Sequence, residues 1–278
     1  MTKVTQIDIK NAAIELGINS GDMLLIHSSF KSMGEVEGGA ESVVQGFLDV
    51  LGEEGTLVFP TFCQKDFEHS YETWHMDKPS DVGYLTNYFR KREGSIRSDH
   101  PTHSVAACGS KAKWLTESHG HTHKRFGSMG DTPFSIDSPW EKMYNEDSKV
   151  LLLGVNPMSI TFRHYAEYLY VEELLKSIEG HPKYNEMKES LWCFEHVGPW
   201  PHVCNEWVLP QAEKLGLVNT TKCGDAELKC FSSKDFVNLT LDFLRNRDQK
   251  ALWVIEEAWD VKEWNKWLDR LENIQKEI

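Results

Sequence analysis

The sequence predicts an α/β protein built as a single domain around a mixed, largely parallel central sheet flanked by helices. Two apolar runs, Met23–Ile26 and Thr56–Phe59, are typical of strands buried on both faces. Between them, a helical pattern from Ala40 to Leu51 places residues such as Val43 and Phe47 on one side. The order strand, helix, strand indicates a βαβ unit, and such units form parallel sheets.

The neighbouring segments carry signals of the same kind. Thr5 is a plausible N-cap and Gly17 a stop for a helix ahead of the βαβ unit. The elements predicted after that unit are an irregular loop (Cys63–Ser80), a helix (Val82–Arg92), a strand (Val105–Cys108), a loop rich in Gly, His and Ser (His119–Pro139), a helix (Trp140–Tyr144), a strand (Lys149–Gly154) and a helix that begins near Ser159. No repeat, low-complexity tract or linker divides the chain, so we expect one domain over residues 1–278.

The C-terminal part carries weaker signals. The stretch Lys176–Trp207 is polar and aromatic and is interrupted by Gly and Pro, so no regular element is predicted there. Helical patterns follow at Pro210–Leu217 and Ser233–Asn246, and Trp253–Ile278 predicts one or two charged amphipathic helices. This part is expected to form a long C-terminal insertion beside the α/β core.

Composition excludes several classes of function. Hydrophobic residues make up 40% of the chain and charged residues 26%, and the net charge is −13. Such a surface repels phosphate backbones and anionic lipids but suits a polycationic ligand, so we expect no nucleic-acid or membrane partner. The six cysteines form no C-x-x-C pair, which favours free thiols. With no signal-peptide core and no membrane span, a cytoplasmic location is expected, and the oligomeric state stays open.

Polar residues follow the first two predicted strands. His27–Ser29 ends the first strand and Thr61 follows the second. Ligands of open α/β sheets bind beyond the carboxyl ends of the strands. The loop from Ser28 to Gly39 leads into a helix N-terminus, where free N–H groups suit a pyrophosphate. It matches neither a dinucleotide fingerprint nor a Walker A loop, and glycines needed only for a turn explain it about equally well.

His164 and Glu167 lie three positions apart on a predicted helix, so they share a face. The pair is compatible with a general base and its orienting carboxylate, with half of a metal site, or with an ordinary surface pair. Spacing alone favours the surface pair.

Two histidine-rich segments have competing interpretations. Asp99–Ser104 precedes an apolar run and is either a turn that leads into a strand or the rim of an active site. His119, His121 and His123 alternate as in a metal-binding tract, but no Cys or carboxylate completes a ligand spacing, so a solvated loop is favoured. The Gly-x-Ser-x-Gly motif of nucleophile-elbow hydrolases is absent.

Taken together, four segments resemble the aminoglycoside 3-N-acetyltransferase family, acetyl-CoA enzymes that lack the common GNAT fold. In the family's order they are Leu24–Gly34 with Val36–Ala40, Gly55–Phe62, Arg97–Ala107, and Ser138–Trp140 through Val150–Gly154 to Thr161–Glu167. They cover roughly residues 1–170. The resemblance implies direct transfer of an acetyl group from acetyl-CoA, without a metal, to a primary amine of an aminoglycoside, the 3-amino group of 2-deoxystreptamine.

The resemblance also implies roles for the matched positions. His164 is expected to be the general base, with Glu167 beside it or against a substrate ammonium. The implied coenzyme A contacts are His27, Ser28, Ser29, Lys31, Ser32, Gly34, Gly38, Gly39, Thr61, Ser104 and Val105. The implied substrate contacts are Asp99, His100, Glu167 and Glu195. For the oxyanion of the transfer step, the donors expected are backbone N–H groups near Ser104 and Val105 or the hydroxyl of Ser28 or Thr61.

Three regions depart from the family pattern: Gly127–Ser138, Lys176–Trp207 and the Trp-rich tail. We therefore expect residues 1–170 to bind coenzyme A and carry catalysis, and residues 171–278 to form the acceptor side. The alternatives are the same chemistry on another amino sugar or biosynthetic amine, a coenzyme A-binding protein without catalysis, and a metal hydrolase that uses His119, His121, His123 and His164.

Overall fold

A seven-stranded sheet lies at the centre of the described part of the chain. The computed structural model describes residues 3–67, 69–193, 198–253 and 261–278. The strands, in chain order, are β1 (Met23–Ser28), β2 (Thr56–Pro60), β3 (Ile96–Arg97), β4 (Val105–Gly109), β5 (Lys149–Leu153), β6 (Val218–Cys223) and β7 (Ala226–Ser232). They lie side by side in the order β3-β4-β2-β1-β5-β7-β6.

The sheet is mixed, as the sequence predicts. β1 pairs in parallel with β2 on one side and with β5 on the other. The outer pairs, β2 with β4, β4 with β3, β5 with β7 and β7 with β6, are antiparallel. The parallel part is therefore the three central strands, which include the predicted βαβ unit.

Helices cover both faces of this sheet. Those within the described ranges are α1 (Gln6–Glu15), α2 (Gly39–Leu51), α3 (Tyr84–Phe89), α4 (Ala112–Thr116), α5 (Pro139–Asn145), α6 (Phe162–Lys176), α7 (Tyr184–Glu189), α8 (Asn205–Lys214), α9 (Ser233–Arg245) and α10 (Val261–Gln275). Thr5 caps α1, because its side chain accepts from the Asp8 amide in a capping box. No helix among the described residues is long and apolar enough to cross a bilayer.

The uninterrupted apolar runs are explained by two hydrophobic cores. Leu24 and Ile26 point to the face that carries α1, α2 and α3, where Phe47 is fully buried. Leu25 and Leu152 point to the opposite face, where α5, α6, α8, α9 and α10 pack. Because both faces are covered, polar residues within the central strands would be buried without partners.

The C-terminal part differs from the prediction, because it completes the sheet. The β6–β7 hairpin pairs with β5 through β7, and neither strand is predicted from the sequence. β6 is an edge strand with several exposed polar positions, so its apolar signal is weak. α8 begins at Asn205, and Pro210 lies inside it rather than at its start. The predicted helix Ser233–Asn246 corresponds to α9, and the helical prediction for Trp253–Ile278 corresponds to α10, while residues 254–260 are outside the described ranges.

Candidate active site

One edge of the sheet collects the polar residues that follow the strands. β1, β2 and β5 are parallel, so their carboxyl ends meet at the same edge. β4 runs in the opposite direction, which brings Ser104, just before its start, to that edge as well. Backbone hydrogen bonds join Thr61 N to Ser104 O (2.8 Å) and Ser29 N to Leu153 O (2.9 Å). The topology therefore gathers residues that are far apart in the sequence.

The loop from Ser29 to Gly39 connects this edge to α2. Ser32 donates its hydroxyl to Ser29 O at 2.6 Å, which closes a short 3-10 turn. Gly38 has a φ of 74° and precedes α2 without a side-chain cap. Glycine adopts this left-handed conformation without the steric cost of a Cβ atom. The first-turn N–H groups of α2 are therefore available to an anion such as a phosphate.

His27 lies at the end of β1, buried to 5% exposure. Its position, two residues after Leu25, directs it to the face of the sheet that carries α6. Burial lowers the pKa of His27 to about 4, so the ring is neutral near pH 7. No hydrogen-bond partner for its Nε2 atom is present among the described residues. A buried polar atom without a partner costs free energy, so this nitrogen is suited to a ligand.

A cleft of about 360 Å³ opens next to the loop. Its walls include Ser32, Gly154, Asn156 and Asp225. Gly154 has a φ of 61°, and a side chain there would overlap the Ser32 side chain. Glycine at this position thus allows the loop and the end of β5 to approach each other closely.

Thr61 and Ser104 are fully buried, and their hydroxyl oxygens are 2.8 Å apart. Arg97, at the end of β3, donates its Nε–H to both oxygens at 3.1 and 3.2 Å and its Nη2 group to Thr61 O. It also binds the carbonyls of Met76 and Lys78, which ties the loop before α3 to the sheet edge. The sequence gives no sign of this role for Arg97, because a single arginine at a strand end carries no motif.

These contacts bear on the expected oxyanion donors. The Thr61 hydroxyl is engaged with Ser104 and Arg97, and the Val105 N–H donates to Ser98 Oγ at 3.0 Å. Both groups therefore have partners inside the protein. Of the expected donors, Ser28 lies at the end of β1 and is partly exposed.

His164 and Glu167 form a hydrogen-bonded pair on α6, with His164 Nδ1 3.0 Å from Glu167 Oε2. Glu167 is 1% exposed and also accepts from Trp200 Nε1 at 3.0 Å and from Val203 N at 2.8 Å. The His164 side chain remains 21% exposed. Spacing alone favours a surface pair, and this prediction is wrong for Glu167, which is buried and held by residues from a distant part of the chain.

The electrostatics of the pair favour a neutral imidazole beside an ionised carboxylate. Burial of Glu167 opposes ionisation, but its contact with His164 prevails and lowers the Glu167 pKa to about 2. Burial and the nearby Arg163 lower the pKa of His164 below its usual value, although Glu167 opposes this. With Nδ1–H donated to Glu167, the lone pair of His164 lies on Nε2.

Arg163 is the immediate neighbour of that lone pair. Its Nε–H donates to His164 Nε2 at 3.2 Å, and its Nη1 group lies 3.3 Å from Val203 O. The guanidinium carbon is also 5.7 Å from the centre of the Trp253 ring. The sequence carries no sign of a role for Arg163, since nothing in a sequence distinguishes a residue that turns toward its neighbour from one that turns to solvent.

Three further histidines are buried near this pair. His100 and His119 stack with ring centroids 4.3 Å apart, and His103 lies 5.0 Å from Phe134, which in turn is 6.2 Å from His164. Each is at most 2% exposed, and burial lowers the pKa of each, to about 4 for His119. These rings therefore form neutral packing around the base.

The alternating histidines do not share a face. His119 is buried, with Nδ1 near Ser98 Oγ and Nε2 near Pro133 O, whereas His121 and His123 are exposed. The solvated loop expected from the sequence is therefore wrong for His119. Within the described ranges, no group of three or more potential ligands is arranged to hold a metal ion.

The expected substrate contacts have different locations. Asp99 is exposed and accepts from Trp74 Nε1 at 2.7 Å. His100 uses Nε2 toward Thr132 Oγ1 at 3.0 Å and Nδ1 toward backbone amides, so it acts as internal support. Glu195 lies outside the described residues.

Residues 25–245 match the model of the family described as aminoglycoside 3-N-acetyltransferase. This segment contains the loop before α2, the sheet edge and the His164–Glu167 pair. The match therefore covers every residue of the candidate site described above except Trp253.

Individual relatives agree with the family match. The chain is 34% identical to aminoglycoside N(3)-acetyltransferase III from a Salmonella species over 180 residues, which cover 59% of this chain and 60% of that protein. The chain thus spans about 60% of the length of this curated relative. It is 29% identical over 267 residues to the SPbeta prophage-derived aminoglycoside N(3')-acetyltransferase-like protein YokD from Bacillus subtilis, covering 85% of this chain and 91% of YokD.

Solved structures share the fold over nearly the whole chain. The apoenzyme of aminoglycoside acetyltransferase AAC(3)-IVa superimposes with a TM-score of 0.70 at 23% identity and covers 96% of this chain and 99% of its own. The crystal structure of YokD from Bacillus subtilis superimposes with a TM-score of 0.67 at 25% identity, and the match covers 90% of this chain and 96% of YokD. The sequence match over most of the chain, joined to this common fold, shows that the chain belongs to the aminoglycoside 3-N-acetyltransferase family.

Proposed function

We propose that this protein is an acetyl-CoA-dependent N-acetyltransferase that acetylates a primary amine of an aminoglycoside, the 3-amino group of its 2-deoxystreptamine ring. The observation that carries the proposal is the His164–Glu167 pair, in which a buried carboxylate holds Nδ1 and leaves Nε2 as the basic nitrogen. This pair lies in a chain whose family is named for that reaction.

Coenzyme A suits the loop that follows β1. Gly34, Gly38 and Gly39 all have left-handed φ values, so the backbone can approach a ligand closely, and α2 begins without a side-chain cap. Lys31 is exposed in the same loop and supplies a positive charge. The Nε2 atom of His27, for which the described residues offer no partner, supports a ligand at this edge. A protein of similar fold, AAC-IIIb, has been solved as a binary complex with CoASH.

The remaining expected coenzyme contacts are assigned to the walls of this site. Ser28, Ser29 and Ser32 line the end of β1 and the loop, while Thr61, Ser104 and Val105 form the rigid edge behind it. Because the last three are fully buried, they act by fixing the backbone that the coenzyme contacts.

In the proposed mechanism, His164 removes a proton from the acceptor amine. Acetyl-CoA would supply the acetyl group as a thioester. As the nitrogen forms a bond to the carbonyl carbon, His164 Nε2 takes the proton, the C–S bond breaks, and the thiolate leaves and takes up a proton. A neutral imidazole is required at the start, and the lowered His164 pKa provides it near pH 7. The ionised Glu167 then stabilises the imidazolium.

Residues 171–278 are proposed to form the acceptor side of the site. Trp200 and Val203 from this part hold Glu167, and Trp253 lies against Arg163. Glu195 and Asp99 are proposed to meet substrate ammonium groups. A net charge of −13 favours a polycationic acceptor. Proteins of similar fold have been solved with sisomicin bound to AAC-VIa and with apramycin bound to a histidine-to-alanine mutant of AAC(3)-IVa.

The experiment is an acetyl-CoA turnover screen against aminoglycosides and simple amino sugars, with thiol release as the readout. We expect transfer to at least one aminoglycoside and nearly complete loss of transfer in the His164→Ala variant, which still binds acetyl-CoA. His123→Ala, at an exposed histidine, is the control and keeps wild-type turnover. Wild-type turnover in His164→Ala would overturn the assignment of the base.

Other acceptors remain part of the test. Transfer to an amino sugar or a biosynthetic amine, but to no aminoglycoside, would support the proposed acetyl transfer and replace the aminoglycoside as its acceptor. Binding of acetyl-CoA without thiol release for any amine would identify a coenzyme A-binding protein. The free thiols of Cys63, Cys108, Cys204, Cys223 and Cys230 agree with the cytoplasmic location that is part of this proposal.

The same screen addresses the metal-hydrolase alternative. It is run on protein purified without a histidine tag, before and after dialysis against a chelator, with elemental analysis for zinc. The proposal includes no metal, so thiol release is expected to be equal in the two samples. Loss of turnover that added zinc restores would favour the alternative, although His121 and His123 are exposed to solvent.

A further inference from the structure

Arg163 donates a hydrogen bond to the lone pair of His164 Nε2, which the proposed base needs to accept a proton. His164 has two ring nitrogens, and Nδ1 is engaged with Glu167 at 3.0 Å. The remaining nitrogen, Nε2, accepts the Nε–H of Arg163 at 3.2 Å. An acceptor amine has to reach the same nitrogen to lose its proton. In this conformation, the base is therefore hydrogen-bonded to a side chain of its own helix.

The surroundings of the guanidinium resemble a site for an organic cation. Its Nη1 group faces Val203 O at 3.3 Å and Met158 Sδ at 3.9 Å, and its carbon lies 5.7 Å from the Trp253 ring centre. Within the described ranges, no carboxylate lies within ion-pair distance of Arg163. A carbonyl, a thioether and an aromatic face are groups that also accept a substrate ammonium.

We propose that Arg163 is a positioning residue that caps His164 in the acceptor-free protein and gives way to the acceptor amine. This inference rests on the proposed function, since it requires that an amine approach His164 Nε2. The Arg163 side chain then acts as an internal competitor: it keeps the base oriented and neutral, and it must leave Nε2 before a cationic acceptor can bind. The acceptor that displaces it most effectively is an amine with further hydrogen-bond donors near the reacting nitrogen.

The charges around His164 support this role. On α6 itself, Arg163 and Glu167 face the ring, and they act on its pKa in opposite directions. Among the described residues of other elements, His103 before β4 and His202 before α8 are the titratable neighbours. Burial lowers the pKa of both, to about 3 for His202, so they are neutral near pH 7. Arg163 is thus the cation whose removal changes the protonation of His164.

The first test measures the protonation of His164 directly. Ring ¹⁵N spectra of histidine-labelled protein, assigned with His164→Gln, give the His164 pKa in the wild type, Arg163→Met and Arg163→Lys. We expect an upward shift in Arg163→Met and a smaller shift in Arg163→Lys, which keeps the charge but loses the planar Nε donor. Arg245→Met, which removes an exposed partner of Glu173, is the matched control without a shift.

The second test uses the acceptor. If Arg163 competes for Nε2, Arg163→Met lowers the acceptor KM, and the acid limb of its kcat/KM profile moves to higher pH. A residue that merely supports the fold would lower kcat without moving that limb. Arg163→Gln, a shorter neutral variant, repeats the measurement if thermal unfolding shows that the methionine variant is not folded.

Two outcomes separate this inference from the proposed function. An unchanged His164 pKa in both neutral variants, with acetyl transfer intact, would overturn the proposed role of Arg163 and leave the proposed acetyltransferase function standing. An upward shift of that pKa in protein that acetylates no amine would support the contact between Arg163 and His164, but it would overturn the proposed function and, with it, the displacement of Arg163 by an acceptor. A shift accompanied by a lower acceptor KM would support both.

Discussion

The Glu167 carboxylate accepts a hydrogen bond from His164 Nδ1 at 3.0 Å while it is itself only 1% exposed. A buried carboxylate is stable as an anion only when hydrogen bonds or a neighbouring positive charge compensate its lost hydration. Here, Trp200 Nε1 and the Val203 amide provide two of those bonds. The orientation of the base therefore depends on the segment around residues 200–203, which lies far from α6 in the sequence.

Replacement of this carboxylate tests the orientation of the base. In Glu167→Gln, one amide group cannot accept from His164, Trp200 and Val203 together, because its nitrogen is a donor. We expect kcat to fall about 100-fold or more with little change in acetyl-CoA affinity. Glu173→Gln, at an exposed carboxylate on the same helix, is the control. Equal kcat values in the two variants would contradict the role of Glu167.

The pH dependence of the reaction follows from the lowered pKa of His164. Burial is the main cause of the shift, and Arg163 adds to it. The base is thus unprotonated at pH values below those of a free histidine, near 6.5. We expect the acid limb of the acceptor kcat/KM profile to lie below pH 6.5. A limb at or above that value would show that His164 is protonated more readily than its surroundings indicate.

Stability is expected to decline in mild acid. Burial lowers the pKa of His27 and His119 to about 4, so each binds a proton more readily in the unfolded chain. The contribution of the two neutral rings to the free energy of unfolding is present above pH 6.5 and is lost as the pH falls toward 4. Urea unfolding at several pH values checks this, with His119→Gln expected to flatten the decline. An unchanged free energy of unfolding between pH 7 and pH 4 would contradict it.

Gly38 offers a test of the loop before α2. In Gly38→Ala, a Cβ atom is forced into a left-handed backbone with a φ of 74° and meets the Ser42 side chain. The loop must shift, and we expect acetyl-CoA affinity, measured by calorimetry, to fall about tenfold. Gly21→Ala is the matched control, since Gly21 has a φ of 87° and its added Cβ meets nothing within 4 Å. Similar losses in both variants would indicate general strain.

Arg97 is expected to stabilise the sheet edge. Arg97→Met removes the guanidinium donor from the buried carbonyl oxygen of Thr61 and from the partly buried carbonyl oxygens of Met76 and Lys78. We expect a loss of about 3 kcal/mol in the free energy of unfolding, measured with urea. Arg92→Met removes a partly exposed ion pair with Glu41 and is expected to cost less than about 1 kcal/mol. A comparable loss in both variants would argue against the special role of Arg97.

Local patterns were sufficient to predict part of this architecture. The βαβ unit, β4, β5 and α6 follow from apolar periodicity and caps, because these signals lie within a few residues of one another. The β6–β7 hairpin escaped prediction, since an edge strand such as Val218–Cys223 gains its partner from β7 and, beyond it, β5. The same limit applies to Pro210, whose place inside α8 depends on how that helix packs.

By itself, the sequence determined the order of the chemical groups: a glycine-rich loop after β1, polar residues at strand ends, and a histidine three residues before a glutamate. Only the tertiary structure decided which of them are buried and what each one touches. Trp200 and Val203 donate hydrogen bonds to Glu167 although more than 30 residues separate them in the sequence. Arg97, from another strand, donates to the hydroxyl of Thr61. Burial and long-range hydrogen bonds set the charge states of Glu167 and His164, and neither is encoded by spacing along one helix.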